Sequence, residues 1–200
     1  MTTPVRTQRA DATRNRELLL AAAEQEFAEK GLEASVADIA RRAGVAKGTI
    51  FRHFATKEDL IAAIVGGHFA NLTAVARELL EADEPGAALL ELLTVTADNL
   101  QQKDLTFLQS VTAQDSQVIA LRDELYEAIS ALVERARTAG AVRPDLTGTD
   151  VFVLMCTPVH AVGFLSDPAP DVWRRYLALI FDGFRPEGAT PLPRPAPNWP

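Results

Sequence analysis

Residues 37–60 read ADIARRAGVAKGTIFRHFATKEDL, two short apolar-periodic pieces that meet at Gly44-Val45. Arg41, Arg42, Lys47, Arg52 and Lys57 gather here, opposed before Glu58 only by Asp38. Two short helices joined by a tight glycine-containing turn make the helix-turn-helix pattern. Ala40 and Gly44 are small, which lets the helices cross closely. Ile50 and Phe54, four apart, supply with Val45 the apolar inner side of the second helix. Gly48, Thr49 and Arg52 then point away, flanked by Lys47, Phe51 and His53. Such a face suits a DNA groove: glycine permits close backbone approach, threonine offers a hydroxyl and a methyl, and lysine donates to guanine acceptors or phosphate. Lys57 stands at the start of the next helix, where its charge opposes the helix dipole. A phosphate outside the protein explains it better. Basic helix pairs also occur in proteins that never touch DNA, so the pattern alone leaves plain packing open.

The surrounding chain sharpens the question. Its 200 residues carry a net charge of −7, yet residues 1–57 hold ten Lys and Arg against seven Asp and Glu, and residues 58–200 hold ten against twenty. A basic quarter on an acidic body points to a polyanionic partner for that quarter alone. The one cysteine, Cys156, excludes an intrachain disulfide and fits a reducing cytoplasm. No cysteine cluster exists to hold zinc, and neither a metal site nor a cofactor is expected. The N-terminus lacks the apolar core of a secretory signal. Val151 to Leu165, the most apolar run, is too short for a membrane span and contains Pro158 and His160.

Helical spacing dominates throughout, so an all-α fold of about nine helices is expected. After a flexible arm over 1–12, the first helix runs from Thr13 to Lys30, with Leu19, Ala22, Ala23 and Phe27 on one face. Ser35 opens the second helix, with Asp38 three residues later in a short version of the capping box. The third covers about Lys47 to Phe54, and the fourth, Lys57 to Glu81, contains Gly66-Gly67. Pro85 starts a fifth, Leu105 to Gln114 is a short sixth, and Ser116 to Thr138 a seventh. Thr149 or Asp150 to Ser166 is the eighth, kinked by Pro158, and Val172 to Phe184 the ninth. The proline-rich tail, 186–200, is expected to be disordered. The domain boundaries follow as 13–57 for the helix-turn-helix unit and 58–185 for the helical body.

SVADIARRAGVAKGTIFRHFATKEDL, preceded by AAAEQEFAEKG, resembles the DNA-binding region of the TetR family of transcriptional regulators over roughly residues 14–64. The matching features are F-A-E-K-G at the end of helix 1, D-I-A-x-x-A-G-V, and G-T-I-F-x-H-F followed by K-E-D-L. The resemblance implies that Lys47, Gly48 and Thr49 lie at base edges in the major groove. It places Phe51, His53 and Lys57 near the backbone, with Ser35 capping helix 2 and able to offer its hydroxyl to a phosphate. Two departures stand out. Phe51 replaces the usual tyrosine and lacks the phenol hydrogen bond to phosphate. Ala46 replaces the usual serine or threonine before the recognition helix, an N-cap weaker by about 0.5–2 kcal/mol.

For the body, the resemblance implies a ligand-sensing and dimerising domain. Helix 8 is apolar nearly all round and helix 9 broadly so, which asks for a partner surface. A two-fold dimer supplies one, and we expect it to use Val151, Phe152, Met155, Val159, Trp173, Tyr176, Leu177, Ile180 and Phe184. Two recognition helices about 34–36 Å apart would then read a palindromic operator. An effector pocket should be mostly apolar with a few polar groups. Composition offers Asn99, Phe107, Gln109, Ser110, Met155, His160 and Trp173. Gly66-Gly67 is either a pivot or a site of close packing.

The expected protein is therefore a cytoplasmic, homodimeric DNA-binding regulator, a repressor released by a small-molecule effector, with no membrane partner. A regulator without a small ligand, whose body only dimerises or binds protein, is the alternative. A helical enzyme is disfavoured, since no H-E-x-x-H, G-x-S-x-G or phosphate-binding loop is present.

Overall fold

The computed structural model describes residues 4–103, 105–167 and 169–199, with side chains from Arg14 onward. Every regular element among them is helical: α1 (Pro4–Lys30), α2 (Val36–Ala43), α3 (Lys47–His53), α4 (Lys57–Leu79), α5 (Pro85–Gln102), α6 (Leu108–Val111), α7 (Ser116–Thr138), α8 (Gly148–Leu154), α9 (Thr157–Val162) and α10 (Trp173–Phe184). A single 3₁₀ turn, Gly31–Glu33, links α1 to α2. The chain divides into two units, Met1–Gly67 with Lys103–Ile119, and His68–Gln102 with Ala120–Pro200. This is not the expected cut at residue 57. The division falls inside α4, at Gly67 and His68, and the N-terminal unit also takes in the α6 region.

In the N-terminal unit, Leu19, Ala23 and Phe27 of α1, Ile39 of α2, Ile50 of α3, and Leu60, Ile61 and Ile64 of α4 are buried. These are the positions that helical spacing marks as inward. Ser35 caps α2, its hydroxyl accepting from the Asp38 N–H at 3.1 Å. Thr56 caps α4 in a reciprocal box: its Oγ1 accepts from the Asp59 N–H at 3.0 Å, and Asp59 Oδ2 accepts from the Thr56 N–H at 2.9 Å. α1 starts at Pro4, well before Thr13. The stretch 4–12 is therefore helical rather than a flexible arm, and residues 1–3 of that expected arm lie outside the described residues. Proline is tolerated in a first turn, and the Arg, Gln and Ala that follow are good helix formers with no glycine among them.

In the C-terminal unit, Leu89, Leu92, Leu93, Ile129, Leu132, Val133, Val151, Trp173 and Leu177 are the inward side chains of α5, α7, α8 and α10. The expected eighth helix is in fact two. Pro158 has no N–H to give the Leu154 carbonyl, and its ring would collide there. So α8 stops at Leu154 and the chain restarts as α9, with Pro158 in its first turn, where the missing N–H costs nothing. α8 also begins earlier than expected, at a capping box of Thr147 and Asp150.

The tail is the largest difference. Residues 186–199 form no helix, but they are placed rather than disordered. The buried Arg143 guanidinium donates to the Thr190 carbonyl, and Asp145 Oδ2 accepts from the Leu192 N–H at 3.4 Å. Farther on, the Trp199 ring stacks on Tyr126 with centroids 4.1 Å apart. Composition argues for disorder because prolines cannot form a ladder or a helix, but it is blind to partners reached across the fold.

α4, at 23 residues, is long and apolar enough to cross a membrane by length and composition alone. Leu60, Ile61, Ile64, Val65 and Phe69 on it are nevertheless buried in protein.

Candidate nucleic-acid interface

The turn between α2 and α3 fixes the site. Gly44 adopts φ +68°, the left-handed region that only glycine enters cheaply. Its N–H donates to the Arg41 carbonyl at 3.2 Å, and the Val45 N–H donates to the Ala40 carbonyl at 3.0 Å. These two crossed bonds are the Schellman closure of a helix C-terminus. α3 then starts at Lys47 with Ala46 as an N-cap that makes no side-chain bond, as its methyl dictates. Ile50 and Phe54 are buried beneath.

On the outer side, Lys47, Gly48, Phe51 and Arg52 are exposed, while Thr49 and His53 are half-buried at the edges. The exposed set is thus shifted from the expected Gly48, Thr49 and Arg52. Phe51 is 46% exposed, with Lys47 Nζ 5.9 Å from its ring centroid. A Cβ built on Gly48 would meet nothing within 4 Å. The open face therefore has a notch in its first turn.

The cations of the quoted stretch do not act alike. Arg41 pairs with Asp38 at 2.5 Å. Arg42 Nε meets the buried Glu26 at 2.8 Å, and its other two nitrogens take both oxygens of Glu29. Lys30 closes the network on Glu26 at 2.8 Å and Asp38 at 3.4 Å. Lys30 and Arg42 hold the Glu26 carboxyl below the usual range. The Ser35 hydroxyl and Arg41 hold Asp38 well below it. Glu29 and Glu26 raise Arg42. Arg41 and Arg42 therefore tie α2 back to itself and to α1. Among the described residues neither Lys47 nor Arg52 meets a carboxylate, so the recognition helix carries the unopposed positive charge.

Lys57 also has partners inside the protein. Its ammonium donates to the Leu32 carbonyl at 2.5 Å and lies 5.5 Å from the Phe27 ring centroid. This internal acceptor holds a lysine placed against its helix dipole. Ser35 donates to Asp38 Oδ2 at 2.8 Å, so its hydroxyl proton is already engaged inside the protein. Arg16, not singled out from sequence, sits 5.1 Å over the Phe54 ring. The i, i+4 spacing of Glu26 and Lys30 was a readable signal for one link of the network. The pairing of Arg42 with α1 was not, because it depends on how two helices cross.

The expected ligand residues are divided between the two units. Phe107, Gln109 and Ser110 belong to the N-terminal unit. There Gln109 and Ser110 are exposed, with the Ser110 hydroxyl donating to the Phe107 carbonyl at 2.8 Å. In the C-terminal unit Asn99 and His160 are exposed, while Met155 and Trp173 are core. The expected dimer residues also divide. Val151, Met155, Trp173, Leu177 and Phe184 are buried within their own chain and are corrected to core. Val159, Tyr176 and Ile180 are half-buried, and Phe152 lies against Trp199. The apolar side chains left exposed nearby in sequence are Val153 on α8, Leu179 on α10, and Phe164 and Leu165 between α9 and α10. Helical periodicity identified apolar helices but could not phase one against another.

A glycine-closed helix pair that presents an unopposed basic face defines a helix-turn-helix DNA-binding unit, here followed by a helical C-terminal unit. The chain belongs to the TetR family of bacterial regulatory proteins: that family's model matches residues 19–64, and a model described as "Transcriptional regulator SbtR-like, C-terminal domain" matches residues 84–186. It is 31% identical over 126 residues to the HTH-type transcriptional repressor KstR2 of Rhodococcus jostii, a match covering 62% of this chain and 57% of that one. The chain thus spans little more than half the length of that relative. Among solved structures, a TetR transcription regulatory protein from Mycobacterium vanbaalenii is 29% identical with a TM-score of 0.65, covering 89% of this chain and 99% of that chain. The ketosteroid transcriptional regulator KstR2 of Mycobacterium tuberculosis is 25% identical with a TM-score of 0.62, covering 86% and 95%.

Proposed function

We propose that the protein is a homodimeric cytoplasmic repressor that reads a palindromic operator through α3 and leaves it when a small molecule binds the C-terminal unit. The observation that carries this reading is the sorting of charge in the N-terminal unit. Arg41 and Arg42 are neutralised by carboxylates, while Lys47 and Arg52 stand open beside Gly48 and Phe51. In this reading Lys47, Gly48 and Thr49 meet base edges, and Arg52, His53 and Phe51 line the phosphates. Ser35 contributes as a helix cap and Lys57 as a brace. Val153 and Leu179, with the half-buried Val159, Tyr176 and Ile180, form the surface joining two copies. DNA binding and effector binding oppose each other because each favours a different arrangement of the two recognition helices, and such coupling is reciprocal. The KstR2 relatives, one of them described as a ketosteroid regulator, make apolar effectors the first class to try.

Selection of bound sites from a random duplex pool tests the reading. A palindrome with half-site centres about 10–10.5 base pairs apart, or a multiple of that, is expected. A pool without enrichment at low salt ends it. The alternative, a regulator with no small ligand, is favoured if the operator is found and a thermal-shift screen of apolar compounds raises no melting temperature.

A further inference from the structure

We propose that Arg122, Asp123 and Tyr126 of α7 with Phe152 of α8 form a recognition site for a tryptophan carried on an extended proline-rich strand, and that its occupant is this chain's own residues 190–199. Four contacts of different kinds converge on one indole. The Tyr126 ring stacks on it nearly parallel, 6° between planes at 4.1 Å. The Phe152 ring meets it edge-on, at 72° and 4.6 Å. The Arg122 guanidinium lies 5.0 Å from the ring centroid. The indole N–H donates to Asp123 Oδ1 at 3.0 Å. Stacked and edge-on neighbours with a cation alongside are the arrangements an aromatic quadrupole prefers. The carboxylate satisfies the one polar group of the side chain. Unspecific apolar collapse would bury the ring without finding its N–H a partner.

The cradle residues are also tied to one another and to α8. Arg122 pairs with Asp123 at 3.1 Å, and the Tyr126 hydroxyl lies 3.3 Å from Thr149 Oγ1. Both groups are thereby held in place from within α7 and α8. The strand is anchored again upstream, where Arg143 holds the Thr190 carbonyl and Asp145 the Leu192 N–H. Between the anchors, in PLPRPAPNW, Pro193, Pro195 and Pro197 restrict the backbone toward the extended polyproline form. The seven steps from Leu192 to Trp199 reach about 22 Å at about 3.1 Å each. Proline lowers the entropy lost on docking. A short tether also presents the indole at an effective concentration in the millimolar range, so modest intrinsic affinity keeps the strap closed. The matched C-terminal family region ends at residue 186, before this strand begins.

The test uses the full chain. A Trp199→Ala chain leaves the cradle empty, and a synthetic peptide of residues 189–200 is then added in trans. We expect saturable binding at micromolar to millimolar peptide, at least tenfold weaker binding to the wild-type chain, whose cradle is filled, and loss of binding when the peptide carries Trp199→Ala. Equal response of the two chains to the peptide would overturn the proposal. Proton–nitrogen spectra give an independent readout of the intact chain. The Trp199 indole resonance, assigned with Trp199→Phe, should sit away from the position of free tryptophan and return to it in Tyr126→Ala. A resonance at the free position in the wild-type chain would overturn the proposal equally.

Discussion

The two units use ion pairs to opposite ends. In the N-terminal unit, five charged side chains around the buried Glu26 lock α2 onto α1. In the C-terminal unit, Arg143 and Asp145 form a two-residue clasp, 2.6 Å apart, whose remaining hydrogen-bonding capacity goes to the backbone of the tail. One arrangement joins helix to helix and frames a surface. The other joins the loop between α7 and α8 to the irregular tail. A guanidinium has five donors in a fixed fork, and Arg143 shares its own between the Asp145 carboxylate and the Thr190 carbonyl.

The sharpest way to break this contrast is to remove what the frame rests on. Phe27 of α1 is fully buried and lies under Lys57. Phe27→Ala should cost about 3–5 kcal/mol in urea unfolding, and operator binding should fall with it. Lys47→Ala leaves the frame intact. It should cost about 1–3 kcal/mol of operator affinity and relax preference at one base pair, read from binding to a panel of single-base operator variants. Gly67 is exposed on α4, and a Cβ there meets nothing within 4 Å. Gly67→Ala should therefore stabilise the protein by about 0.8–1.0 kcal/mol in the same unfolding assay. The open space also removes close packing as the reason for this glycine, whereas Gly66 is buried.

Salt titration separates framing cations from presenting ones. Arg52→Ala should lower the slope of log affinity against log salt by about 0.9. Lys57→Ala should leave the slope alone and lower stability by about 1 kcal/mol, the scale of one hydrogen bond. The effect of the clasp is read against pH. Arg143 lowers the Asp145 carboxyl to about 2, from an ordinary value of 3.8. A carboxyl depressed on folding contributes stability that is fully present above its unfolded value and is lost as pH falls through the folded one. The thermal midpoints of wild type and Asp145→Asn should differ above about pH 4 and converge as pH falls toward about 2.

Local periodicity carried the reading of the N-terminal unit. Leu19, Phe27, Ile39, Ile50 and Phe54 are inward because each answers a spacing within its own helix, and Gly44 ends α2 because the closure there involves six consecutive residues. The internal partners of Lys57, Arg42 and Trp199 lie beyond such spacing for one shared reason. Their partners lie 25, 16 and 76 residues away, and nothing in a linear pattern announces a contact at that separation. The same blindness moved Val151, Trp173 and Leu177 from interface to core. Each helix was known to be apolar, but the side it turned to its neighbour was not.

The elbow at Gly44 has a consequence for anyone who would redirect this protein to a new DNA sequence. With the chain reversed through a left-handed glycine and tied by two crossed backbone bonds, the aim of α3 is a property of the main chain and is insulated from what its outward residues are. Randomising Lys47, Gly48, Phe51 and Arg52 should therefore change which letters are preferred while leaving the docking trajectory as it is. Libraries that spare residues 40–45 will sample chemistry instead of geometry.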